Sequence, residues 1–221
     1  VHSTSSAKLI SIEGCPNEYS QILTNFDVEL CAILSSTLHC YTAGNSAEID
    51  SLINSLKMHD TQFKELKTER GFHSSMIDPI LNEFENFTSK INFAIGDKRW
   101  ISSMDGQIRT SLDPNYCREH MRNPVDMKSA MDTLNSMNDI DLIIEIGPAG
   151  VLSRILKQRN SKLEHLSTVP SKSQALYHPS ALFDCRAHLW TLGYPVEFEQ
   201  DDYTFQNDIN APVYQFDRIK C

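Results

Sequence analysis

The sequence predicts an α/β fold in two parts, and three observations carry that expectation. The first third alternates period-2 and period-3.6 apolar patterns in the order strand, helix, strand, strand, helix, strand. That is the βαββαβ order of a ferredoxin-like unit. Further on, DLIIEIGPAGVLSRIL runs an apolar strand through Gly147–Pro148 into a helical pattern, the strand–turn–helix step of a parallel sheet. The end of the chain, DDYTFQNDINAPVYQFDRIKC, is polar and without period, as an extended linker is.

Taken in order, AKLISIE alternates and predicts the first strand. GCPNEYSQILTNF opens on a Gly–Cys–Pro turn and places Tyr19, Ile22 and Leu23 at helical spacing. VELCAILSS and LHCYTAG are β-rich runs separated by a short polar turn. GNSAEIDSLINSLKMHD offers Asn45 or Ser46 as N-cap, since either oxygen can accept from a free amide of the first turn. Its apolar stripe is Ile49, Leu52, Ile53 and Leu56. QFKELKT closes the unit as a strand. SSMIDPILNEFENF is amphipathic, with Ile77, Ile80, Leu81, Phe84 and Phe87 expected on one side. Pro79 stands near its start, where a missing N–H costs little. RWISSMDGQ predicts a strand entering an Asp105–Gly106 turn, and DPNYCREHMRNPVDMKSAMDTLNSM predicts helix on both sides of Asn123–Pro124. Leu142 to Ile146 is expected to be a buried strand, and LEHLSTVP another strand. PSALFDCRAHLWTLG predicts a helix stopped by Gly193, and YPVEFEQ a short strand. There is no internal repeat.

Net charge is -9 with no basic block, which argues against a nucleic-acid partner, because phosphate neutralisation needs clustered Lys and Arg. An acidic surface still admits an anionic substrate held by one arginine in a pocket. None of the cysteines, Cys15, Cys31, Cys40, Cys117, Cys185 and Cys221, forms a CxxC pair. Free thiols in a reducing compartment follow. No apolar run is long enough to span a bilayer and VHSTSSAKL has no signal-type apolar region, so no membrane association and a cytoplasmic location are expected.

His73, in ERGFHSSM, stands where a strand gives way to a helix, a junction of the kind that carries function. Taken alone, a histidine there is more often an exposed or capping residue than a catalytic one. Cys117 and His120 are three apart, but two ligands do not make a zinc site, and no metal is expected. Asp184 and His188, four apart, suit a local pair on a helix. GPAG lacks both GxGxxG and GK[ST], so a tight turn is its expected role. No GxSxG elbow occurs, and GNSAE, its nearest approach, opens a helix and lacks the second glycine.

Together these segments resemble the acyltransferase domain of polyketide and fatty acid synthases, of the malonyl-CoA:acyl-carrier-protein transacylase type. FKELKTERGFHSSMIDPIL resembles that family's passage from its last ferredoxin strand into an Ala-Phe-His-Ser motif, and RWISSMDG the strand and turn that follow. YCREHMRNPVDMKSAM resembles the segment ending in Arg–x–Pro–Val before a helix, and DLIIEIGPAGVLSRIL the Glu–Ile–Gly–Pro strand and helix. APVYQFDR resembles the linker that follows acyltransferases in synthases. The matches fall in family order over most of the chain.

The resemblance implies a ferredoxin-like small subdomain over 1–68 and the C-terminal part of an α/β-hydrolase-like parallel-sheet subdomain over 69–175. It implies a post-acyltransferase linker region over 176–221. His73 matches the catalytic histidine, which takes the hydroxyl proton as a serine attacks a thioester and later protonates the departing thiolate. In the family a backbone carbonyl orients that histidine, and the matching stretch lies near His120. Phe72 matches a substrate-selectivity position, where Phe goes with malonyl and Ser with methylmalonyl units; such a steric difference supplies about 1–3 kcal/mol, a preference. Gly71 stands where Ala is usual. The family's GHSxG serine and malonyl-binding arginine precede the segment matched by AKLISIE. The chain is therefore expected to be the C-terminal portion of the domain and inactive alone, since losing such a serine removes roughly 10⁴–10⁶ of the rate. No cofactor is expected to bind here, the phosphopantetheine being carried by the partner carrier protein. The implied partners are an acyl-CoA substrate, an acyl carrier protein and an adjacent ketosynthase reached through the linker. The rival reading is a non-catalytic acyltransferase-like module that braces the ketosynthase or docks a carrier protein. A parallel sheet without its first strands is expected to expose an apolar edge.

Overall fold

The computed structural model describes residues 7–43, 45–68, 70–93, 98–147, 152, 155, 163–168 and 181–197. β1 (Lys8–Glu13), α1 (Pro16–Leu23), β2 (Glu29–Ser35), β3 (Leu38–Ala43), α2 (Ser46–Met58) and β4 (Gln62–Leu66) follow one another as expected. Their strands lie in the order β4-β1-β3-β2, paired antiparallel throughout. The helices cover one face. Ile10 and Ile12 of β1 and Tyr41 and Ala43 of β3 meet Tyr19 and Ile22 of α1 and the whole predicted stripe of α2 in one buried core. Asn45 rather than Ser46 caps α2, its side-chain oxygen accepting from Ala47 N at 3.0 Å. The polar end of buried Tyr19 is satisfied by His39 Nδ1 at 3.0 Å.

Past β4 the chain makes a 3₁₀ turn (Ser75–Ile77) and enters α3 (Asp78–Thr88). Ile77, Ile80 and Leu81 are buried together with Met121 packed against them. Phe87, expected on this face, is 64% exposed, and Thr88 is buried instead. Phe87 lies on the Ile80 side of the buried stripe, at its margin, whereas Thr88 falls between Ile77 and Leu81 near its centre. β5 (Trp100–Ile101) and β6 (Ile108–Arg109) form a hairpin around the predicted Asp105–Gly106 turn. Gly106 has φ +70°, and a Cβ there would come within 2.6 Å of the Ser129 backbone, so the turn needs glycine twice over.

α4 (Pro114–Arg122) and α5 (Met127–Ser136) flank Asn123–Pro124 as predicted. Between them the structure inserts β7 (Val125–Asp126), which the sequence did not separate from helix. It pairs parallel with β2, Ala32 to Val125 and Ile33 to Asp126, and makes the sheet mixed and five-stranded. β8 (Leu142–Glu145) pairs parallel with β9 (Glu164–Ser167). The expectation of a buried strand here fails in part: Ile144 is 41% and Ile146 87% exposed. Among the described residues β8 has one neighbouring strand, so part of its apolar surface goes uncovered. Most of the helix expected after Gly147 lies outside the described residues, but Leu152 N donates to the buried Glu145 carboxylate at 3.0 Å. α6 (Ala181–Thr191) ends at Gly193, φ +86°. The strand expected at YPVEFEQ is absent over 194–197, and its remainder, with the linker, lies outside the described residues. The described cysteines, Cys15, Cys31, Cys40, Cys117 and Cys185, are free, and no helix among the described residues is long and apolar enough to cross a membrane.

Candidate active site

His73 sits in a left-handed conformation, φ +60°, which costs a non-glycine residue about 1–2 kcal/mol. The residues after it are fixed from two sides. Buried Ser74 donates to Gly71 O at 2.6 Å and its oxygen caps the 3₁₀ turn at Met76 N. Ser75 N donates to Glu29 Oε2 of β2 at 3.0 Å, and Ser75 Oγ donates to the other Glu29 oxygen. At the start of α3, Asp78 accepts from Arg122 Nε of α4 at 2.5 Å. The Gly71 position is coupled to this turn, because a Cβ there would sit 2.3 Å from Met76 Sδ. Met76 occupies the space that an alanine methyl would need.

The His73 ring meets the end of α4. Its Nδ1 lies 2.9 Å from His120 O and 3.1 Å from Asn123 O. Carbonyl oxygens only accept, so Nδ1 carries the hydrogen, and in the neutral ring Nε2 keeps its lone pair. The local sequence explains why those carbonyls are available. In a continuing helix His120 O would accept from the amide of residue 124, but that residue is Pro124 and has no N–H. Asn123 leaves the helix in an extended conformation, φ -84° and ψ 156°, which turns its own carbonyl toward the same point.

Around this contact the rings form a stack. The His120 ring meets the His73 ring edge-on at 5.6 Å, and Tyr116 stacks on His120 at 5.7 Å. Trp100 meets Tyr116 edge-on at 5.0 Å, and the Arg109 guanidinium lies 4.9 Å from the Tyr116 centroid. Ser103 Oγ lies 3.0 Å from His120 Nε2, and Ser102 Oγ 2.9 Å from Tyr116 OH. Burial, and then the neighbouring His73, push the His120 pKa below its usual value.

His73 opens onto a cleft of about 780 Å³ between α3, β5 and α4, lined by Phe84, Trp100, Leu112 and Met121 and by Cys117 and His120. Its walls are mainly apolar, as binding clefts are. Phe72 is 36% exposed and is not among the lining residues, so the structure brings His73 and His120 together and leaves Phe72 at the surface of the turn. Burial raises the Cys117 thiol pKa, and no group of three metal-type side chains occurs among the described residues. His188 turns to β9, with Nε2 3.4 Å from Glu164. Sequence reasoning placed the orienting carbonyl near His120 but missed Ser103 and Tyr116. The signal for the carbonyl itself was Pro124, four residues after His120.

An α/β chain with a mixed sheet and a histidine held at its strand–helix junction defines the class, and comparison with known proteins narrows it. No family model matches the chain. It is 26% identical over 218 residues to the bikaverin polyketide synthase of Gibberella fujikuroi, covering 94% of this chain and 10% of that protein. It is 24% identical over 220 residues to the conidial pigment polyketide synthase of Aspergillus fumigatus, again about a tenth of the relative's length. Among solved structures, the acyltransferase domain from the second module of the salinomycin polyketide synthase superposes with a TM-score of 0.73 at 21% identity, over 87% of this chain and 45% of that one. The malonyl CoA-acyl carrier protein transacylase of Clostridium perfringens superposes with a TM-score of 0.71 at 17% identity, over 86% of this chain and 60% of that one. The resemblance read from the motifs is borne out: the chain has the fold of part of an acyltransferase domain and is similar in sequence to polyketide synthases.

Proposed function

We propose that the chain is part of an acyltransferase domain that moves an acyl unit, malonyl by preference, from coenzyme A to an acyl carrier protein within a multidomain synthase. His73 is its base. The observation that carries this reading is the pair of main-chain carbonyls on Nδ1, which holds the ring in the tautomer a base requires. A serine hydroxyl attacks the thioester carbonyl and gives its proton to His73 Nε2. The carbon–sulfur bond breaks, the coenzyme A thiolate takes that proton, and an acyl-serine ester remains. The phosphopantetheine thiol of the carrier protein reverses these steps and leaves with the acyl group. The 221 residues hold no GxSxG elbow, so in this reading the serine is supplied by chain outside them and they do not acylate alone. Residues 1–68 are the small subdomain, 69–175 part of the large one, and 176–221 the linker toward a ketosynthase. Phe72 sets the malonyl preference from the turn that carries His73.

The test uses the intact synthase with malonyl-CoA, reading the acyl-serine ester by mass spectrometry in a single turnover. His73→Ala is expected to slow ester formation by about 10²–10⁴-fold. An unchanged rate overturns the role of His73, and no ester on any serine of the unaltered protein leaves the scaffold reading.

A further inference from the structure

The carbonyls that orient His73 come from the last turn and the C-cap of a nine-residue helix with no fully buried residue, the kind of segment that frays. On its outer side the turn is tied to α3, Arg118 donating to Asn82 and Glu85 at 3.0 Å each and Arg122 to Asp78. On its inner side the tie is the His120 ring. It is anchored at Nε2 by Ser103 Oγ at 3.0 Å and backed by the stacked face of Tyr116. Ser103 is itself fixed, since its carbonyl accepts from Asp126 N of β7 at 2.6 Å. Tyr116 is held by Ser102 Oγ at 2.9 Å, and Ser102 is fully buried. The β5–β6 hairpin, β7 and α4 therefore converge on one imidazole, and that imidazole lies edge-on against His73.

We propose that the side chain of His120 is a positioning residue for His73: anchored by Ser103 and Tyr116, it keeps the α4 carbonyls on Nδ1 and so keeps Nε2 free to take a proton. The inference rests on the reading of His73 as base. It separates two roles within one residue. The His120 carbonyl contacts the base directly, whereas its imidazole acts through the helix turn and through the ring contact. Replacing the side chain leaves the carbonyl chemically in place, so the two roles come apart by substitution.

The experiment is a double-mutant cycle in the intact synthase, read as single-turnover ester formation from malonyl-CoA. His120→Ala and Ser103→Ala are each expected to slow acylation about 10-fold at saturating malonyl-CoA, with the half-saturating concentration unchanged. His120→Gln, which can still hydrogen-bond Ser103, is expected to recover most of the rate. In a His73→Ala background, His120→Ala is expected to cost no further rate. A loss of equal size in both backgrounds, or no loss in either, overturns the proposal while leaving His73 as base. Full activity of His73→Ala removes the base reading and this inference with it. Should His120→Ala fail to fold, Ser103→Ala runs the same cycle.

Discussion

At the scale of single residues, the site is a matter of where two carbonyls point. Pro124 frees His120 O by lacking an N–H, so Pro124→Ala supplies the amide that a continued helix would bring to His120 O. One neutral hydrogen bond is worth about 0.5–1.5 kcal/mol, and a roughly 2- to 10-fold slower acylation of the intact synthase is the expected outcome. Phe72 calls for a different measurement. Phe72→Ser is expected to raise the ratio of methylmalonyl to malonyl ester in a competition between the two coenzyme A thioesters, by about 10-fold at most. An unchanged ratio would fit its exposed position away from the cleft lining. His73 was legible in the sequence because its neighbours form a motif at a strand–helix junction. The Ser103–His120–Tyr116 cluster was not, because its members come from two segments whose approach depends on a hairpin and a helix packing side by side. Tyr116 and His120 share a helical face four apart, but nothing in their spacing names Ser103.

At the scale of elements, amphipathic period told most of the truth. The α2 stripe is buried in full, and Leu52→Ala is expected to cost about 2–5 kcal/mol in urea unfolding, the usual range for a buried leucine. Where α3 departed, at Phe87 and Thr88, the period was right and the choice of the more apolar neighbour was wrong. β7 escaped because two residues are too few to show alternation. β3 carries a pH signature. His39 is buried against Tyr19, and burial pushes its pKa below 6.5 in spite of the Asp126 charge. The folded state therefore resists protonation that the unfolded chain accepts. The stability this contributes is present in full above the unfolded value of about 6.5 and is lost as pH falls through the folded one. Urea midpoints measured from pH 7 down to pH 5 are expected to fall more steeply for the unaltered chain than for His39→Gln.

At the scale of the molecule, the elements up to β4 and those that follow are joined by more than the segment that carries His73. β7 lends the edge of β2 a parallel partner, and Glu29 of that same strand holds Ser75 beyond the histidine. His73 is thus set between a sheet and a helix that the chain clasps together at two points, although the sequence places their residues nearly a hundred positions apart. The second sheet is in the opposite condition. β8 and β9 pair with each other, and Ile144 and Ile146 project apolar surface that the described residues do not cover. An uncovered apolar strand recruits whatever completes it, by edge pairing or by face burial. If the remainder of an acyltransferase sheet is its natural cover, the 221 residues by themselves should associate through this surface. Light scattering of the purified chain is then expected to show concentration-dependent growth, and replacing both isoleucines by lysine should suppress it without lowering the urea midpoint of the five-stranded sheet. Growth that persists in the lysine variant would place the sticky surface elsewhere, with α6 and its exposed Leu182, Phe183 and Trp190 the next to substitute.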